Sequence, residues 1–142
     1  MNLNILFIFI FMSVAFSVNA QNEELDTFYK SEFKGVFFRS CLKVGYNKSP
    51  EINNLLLQDP SFVSDFKLGV NNYRYIDQLA LKLNEKMEQD SIKSHKRWSS
   101  ESGEYDFYIA KKVISTCLNY YQSEELDSIA NERIKLIPTI KK

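Results

Sequence analysis

The sequence predicts an all-α fold, a compact bundle of about four to six helices with one inter-helix disulfide. Three observations carry that expectation. Apolar residues recur at steps of three and four along four long stretches, the period of a helix with one buried face. The 4 glycines and 3 prolines fall mostly at the boundaries of those stretches, and no alternating run flanks a hairpin turn. Two cysteines, Cys41 and Cys117, sit inside two of the apolar stripes, downstream of a segment that reads as an export signal.

That segment comes first in the chain. Leu3 to Phe16 are almost entirely apolar and uncharged, Val18-Asn19-Ala20 reads as a small-x-small cleavage site, and polar Gln21-Asn22-Glu23-Glu24 follows. This is the pattern of a cleavable secretory signal. A membrane anchor is the competing reading, but the apolar run is short for a span and no basic stop-transfer cluster follows. Residues 1–20 are therefore expected to be a signal peptide and 21–142 one helical domain, released without a membrane attachment. No cysteine follows Ala20, so a lipidated mature end is not expected.

The helical stretches follow in order. From about Thr27 to Tyr46, Phe33, Phe37, Cys41 and Val44 fall on one face, with Gly45 near the stop. Ser49 and Pro50 form an N-cap and first-turn pair, opening a short helix over Ile52–Leu57. Asp59-Pro60 repeats that signal ahead of Phe62, Val63 and Phe66, and Gly69 to Asn72 reads as a stop. Tyr73, Ile76, Leu79, Ala80, Leu83 and Met87 then mark a long helix to about Glu88. The pattern breaks from Gln89 to Gly103, a serine- and lysine-rich stretch that reads as a polar connector. It resumes from Glu104 to about Tyr121 with Ile109, Val113, Cys117 and Tyr120, broadened by Tyr105 and Ile114. Ser123 caps a last helix with Glu124 and Glu125 in its first turn, where the helix dipole favours acids. Its face is Leu126, Ile129, Ala130, Arg133 and Ile134, and Pro138 ends it.

Composition narrows the function classes. The chain carries 18 basic and 18 acidic residues, so it has no general attraction for nucleic acid or an anionic membrane. Export to an oxidising compartment makes a Cys41–Cys117 disulfide the default, with two buried thiols as the alternative. A thiol enzyme needs a histidine beside its cysteine. The one histidine, His95, lies in the polar connector, and no pattern brings it to either cysteine. One histidine and two separated cysteines do not make a zinc site, and the glycines do not cluster into a phosphate loop. No catalytic residue, metal or cofactor is expected. Phe28, Tyr29, Tyr75, Tyr108 and Tyr121 exceed what the stripes need and suit either the core or an interface.

One run is more specific. Cys117-Leu118-Asn119-Tyr120-Tyr121-Gln122-Ser123-Glu124-Glu125-Leu126-Asp127 resembles a segment of the type VI secretion system amidase immunity proteins, in particular the fourth amidase-immunity family. Ser40-Cys41-Leu42 resembles that family's upstream cysteine segment, and the signal and helix order agree. The residues from Gln89 to Gly103 and those after Arg133 carry no matching motif. The resemblance implies an all-α periplasmic protein, often a homodimer. It implies binding and occlusion of an injected peptidoglycan amidase, a papain-like cysteine hydrolase, with no chemistry by the immunity protein itself. Two other classes compete: a secreted enzyme or toxin using Cys41 or Cys117, and a periplasmic structural or chaperone-like helical module.

The effector-binding surface expected from sequence is the connector: Ser91, Lys93, Ser94, His95, Lys96, Arg97, Trp98, Ser99 and Ser100. Its serines offer hydrogen bonds, its cations meet acids, and Trp98 fits an apolar pocket. The competing reading is an idle solvated loop. The alternative surface is Tyr120, Tyr121, Glu124 and Glu125.

Overall fold

The structure, a computed structural model, describes residues 3–60, 68–102 and 111–137; side chains are described at 24–60, 68–94 and 111–137. It is all-α. Five helices follow in order: α1 (Leu3–Gly45), α2 (Pro50–Gln58), α3 (Val70–Ser102), α4 (Val113–Tyr121) and α5 (Glu124–Ile134). Among the described residues none is in a strand, and no helix is long and apolar enough to cross a membrane.

α1 is the spine, because all four other helices pack on it. Phe33, Phe37 and Cys41 are fully buried on its inner face. The stripe read from sequence therefore selects the right side of the helix, although Val44 is only half-buried and Gly45 takes the buried place beside it. The helix starts well before Thr27, running unbroken from Leu3. α3 lies parallel to α1. Ser40 Oγ donates to Asp77 Oδ1 at 3.0 Å, while Lys111 Nζ touches both Asn47 and Asn84, so later residues of α1 meet later residues of α3. A parallel pair needs a return path, and residues 46–69 provide it. Gly69, at φ 75, turns that path into α3. The apparent stop at Gly69–Asn72 is thus a helix start. The amide of Asn72 donates to Leu68 O at 2.9 Å, which accounts for a buried polar side chain in the first turn. The apolar residues Phe62, Val63 and Phe66 lie outside the described residues.

α4 runs antiparallel to α1. Three contacts fix the register: Phe37 against Tyr120 at 5.1 Å between ring centroids, the Cys41–Cys117 disulfide, and Gly45 against Val113. Val113 and Cys117 are buried as expected. Ile114 does not broaden the stripe; it is 60% exposed, because α4 packs only through its inner edge. The described part of this helix starts at Val113; Glu104, Tyr105, Tyr108 and Ile109 lie outside the described residues. α5 closes the core with Leu126 and Ala130. Both predicted caps form: Ser49 Oγ accepts from Ile52 N and Ser123 Oγ accepts from Leu126 N. Arg133 does more than lie along apolar surface. Its guanidinium stacks 4.4 Å from the Tyr75 ring centroid, and its Nε donates to Asn72 Oδ1.

Two glycines of α1 give opposite expectations. A Cβ on Gly45 collides with Val113 Cγ1, whereas a Cβ on Gly35 meets nothing within 4 Å. Gly45→Ala pushes α4 away from the spine and should destabilise by about 1–3 kcal/mol. Gly35→Ala removes a mid-helix glycine at no steric cost and should stabilise by about 0.5–1 kcal/mol. Urea unfolding of both variants checks the pair; equal shifts of the same sign contradict the close approach at Gly45.

Candidate functional site

The connector from Gln89 to Gly103 is not a loop. α3 continues through it to Ser102 as one helix. The physical reason is propagation. A helix already nucleated by the Tyr73–Met87 packing face extends at one hydrogen bond per added residue. Lys93, Lys96, Arg97 and Glu101 are good helix formers, and scattered serines cost only tenths of a kcal/mol each. Loss of the apolar stripe signals loss of burial, not loss of helix.

Met87 is the last buried residue of α3 among its described side chains. Of the described side chains beyond it, Glu88 and Ser91 are half-buried, whereas Ile92, Lys93 and Ser94 are exposed. Ser91 Oγ is enclosed without a hydrogen-bond partner. His95, Lys96, Arg97, Trp98, Ser99 and Ser100 occupy the final turns of the helix, and their side chains lie outside the described residues.

The chain returns to where it left. Lys111 Nζ donates to Glu88 Oε1 at 2.7 Å, to Asn47 Oδ1 at 3.1 Å and to Asn84 Oδ1 at 3.4 Å. Asn84 is buried and turns its own amide to Glu88 Oε1 at 3.1 Å. One ammonium therefore ties the end of α1, the middle of α3 and the approach to α4. This clasp joins the two segments that flank residues 89–110, an excursion of the chain between Glu88 and Lys111. The Lys111 hydrogen bond, then Asn84, hold the Glu88 carboxyl below its ordinary range. A depressed carboxylate pKa means that the clasp is complete above the ordinary carboxylate range and is lost as pH falls through the lowered value. Sequence reasoning missed the clasp. Its one visible trace is Asn84, a polar residue between Leu83 and Met87.

The alternative surface lies at the α4–α5 corner, and the fold already uses much of it. Tyr120 donates from its hydroxyl to Glu125 Oε1 at 2.9 Å and rests on Phe37. Burial, followed by Glu125, raises the pKa of its phenol. Tyr121 sits between Phe38, 5.6 Å away by ring centroids, and the Lys34 ammonium, 4.9 Å from the ring centroid. Lys34 also binds Asp127, assisted by Lys30 at 3.3 Å. The Lys34 hydrogen bond is the main reason the Asp127 pKa is lowered. Glu124 and Glu125 are exposed. The four residues thus share one corner, but both tyrosines are committed to packing.

Cys41 and Cys117 form a disulfide, with Cα atoms 5.9 Å apart and both residues fully buried. Neither sulfur is a free thiolate in this state. No group of three or more histidine, cysteine, aspartate or glutamate side chains placed to hold a metal occurs among the described residues. No protein-family model matches this chain, and neither does any curated protein or any solved structure.

Proposed function

We propose that this chain is a periplasmic immunity protein that binds and occludes a peptidoglycan amidase delivered by type VI secretion, and that it performs no chemistry of its own. The observation that supports this reading best is the clasped excursion. Among the described side chains of α3 the last buried one is Met87, yet the backbone runs on as helix to Ser102 before the chain returns at Lys111. A helical extension whose described side chains Ile92, Lys93 and Ser94 are exposed takes little support from the core through them. A partner groove supplies a packing face, which is the helix-in-groove mode of recognition. The blocking element in this reading is a helix rather than the loop expected from sequence. The resemblance of Cys117–Asp127 names the partner as a papain-like amidase. It also brings with it a homodimer, removal of residues 1–20, and action in the periplasm without membrane or nucleic acid.

A structural or chaperone-like module is the second reading, favoured by the exposed apolar pair Ile114 and Leu118 on α4. Co-purification decides between them. The mature chain mixed with the amidase encoded beside it should elute as a complex of near one-to-one stoichiometry and should stop wall digestion. No complex, together with suppressed aggregation of unrelated unfolded proteins, favours the module. Wall cleavage by the mature chain alone rejects both.

A further inference from the structure

Asn84 is a side chain that core packing does not explain. From Ile76 to Met87 every other buried residue of α3 is apolar. A buried amide without partners is costly, whereas an apolar side chain in its place is not. Both ends of this amide are used, and both by the clasp. Nδ2 donates to Glu88 Oε1 at 3.1 Å, and Oδ1 accepts from Lys111 Nζ at 3.4 Å. The Asn84–Glu88 bond spans one turn of α3. Lys111 closes the triangle from the segment that returns after the excursion, with Glu88 Oε1 at 2.7 Å. The same ammonium reaches Asn47 Oδ1 at 3.1 Å, beyond the end of α1. An amide, a carboxylate and an ammonium thus pin a single turn of the helix.

That turn lies where described burial stops. Past Glu88, Gln89, Asp90, Ile92, Lys93 and Ser94 are exposed, and half-buried Ser91 leaves its hydroxyl oxygen without a hydrogen bond. The first turns beyond the clasp therefore draw their order from the turn before them more than from side-chain packing of their own. Helical order propagates from a formed turn, whereas a segment cut off from it must nucleate again, with a weight of about 10⁻³. The core itself is closed without the clasp, by the apolar cluster and the Cys41–Cys117 bond.

We infer that Asn84, Glu88 and Lys111 form an ordering latch, which holds the turn from which residues 89–102 propagate as helix. One ion pair at the base then controls the order of the projecting segment, and the bundle beneath it does not depend on that pair. The order of the helix is a property of this chain alone. Its consequence for occlusion rests on the proposed function, in which this helix is the blocking element: a helix ordered in advance spares the complex the cost of ordering it.

Hydrogen exchange of the oxidised protein, with charge reversal at the two ends of the pair, tests the latch. Glu88→Lys and Lys111→Glu should each speed exchange of the amides of residues 89–95 by at least about fivefold, the weight of one net hydrogen bond. Amides of residues 76–83 should stay within about twofold of wild type, because local opening leaves the core closed. Combining the two substitutions should restore slow exchange. The reversed pair still attracts, and the amides of Asn47 and Asn84 offer a donor and an acceptor, so each can rotate to meet the exchanged partner. Unchanged exchange in both single variants overturns the inference. So does loss of protection spreading equally to residues 76–83, which makes the cluster a part of global stability. A double variant as labile as the single ones also overturns it, because the pair is then not the cause. The measurement uses no partner, so its failure leaves occlusion standing, and failure of the neighbouring amidase to bind leaves the latch standing.

Discussion

Replacing both Cys41 and Cys117 by alanine lowers the stability of the helical domain by about 4 kcal/mol. The bond joins residues 76 apart, so its loss returns a long loop to the unfolded ensemble. In the chain-entropy model that loop length accounts for most of the effect, although the entropic origin of such stabilisation is disputed. Two small voids at fully buried positions add to it. The location amplifies the consequence. α4 packs on α1 and carries α5 with it, so the cross-link anchors the whole C-terminal side of the core. A domain of this size has about 5–15 kcal/mol of net stability, so the loss is a large share of it. The melting temperature should fall by about 10–20 °C. Differential scanning calorimetry of the oxidised wild type against the double variant gives the number. Labelling of both cysteines by a thiol reagent in denatured, unreduced protein contradicts the bond itself.

Under the proposed occlusion, deleting residues 89–110 abolishes inhibition and leaves the bundle folded. Lys111 and Glu88 are in contact, so a short glycine-serine linker can replace residues 89–110 without moving either end. No side chain described between Gln89 and Ser94 is buried, so these residues contribute little to the core. The deletion variant should retain a cooperative melt and its disulfide, and should fail to protect the wall from the neighbouring amidase. Within the helical part of the excursion, residues 89–102, Trp98 is the one large aromatic residue. Trp98→Ala should weaken binding by about 2 kcal/mol, which is about thirtyfold in Kd. Full inhibition by a folded deletion variant moves the binding surface to the α4–α5 corner, where Glu124 and Glu125 are exposed beside the packed tyrosines.

The division between what was readable in the residues and what required the fold follows physical lines. Period and caps act locally. Phe33, Phe37 and Cys41, and equally Ile76, Ala80, Leu83 and Met87, mark buried faces because helix geometry alone places them in line. Ser49 and Ser123 cap their helices with bonds only three residues away. The disulfide was foreseeable because two cysteines leave only one intramolecular pairing.

One feature followed from helix propagation beyond the apolar stripe, and two depended on residues distant in sequence. The end of a stripe does not end a helix, so α3 ran past Glu88 where periodicity had nothing left to detect. The parallel pairing of α1 with α3 rests on contacts such as Ser40–Asp77, which no local pattern encodes. The clasp depends on Lys111 meeting Asn47, Asn84 and Glu88 from three separate segments. Each of those side chains is an ordinary polar residue until the packing of α1 against α3 brings its partners within hydrogen-bond reach. Local chemistry thus set the helices and their buried faces, while tertiary contacts decided which polar residues would converge at the root of the projecting helix.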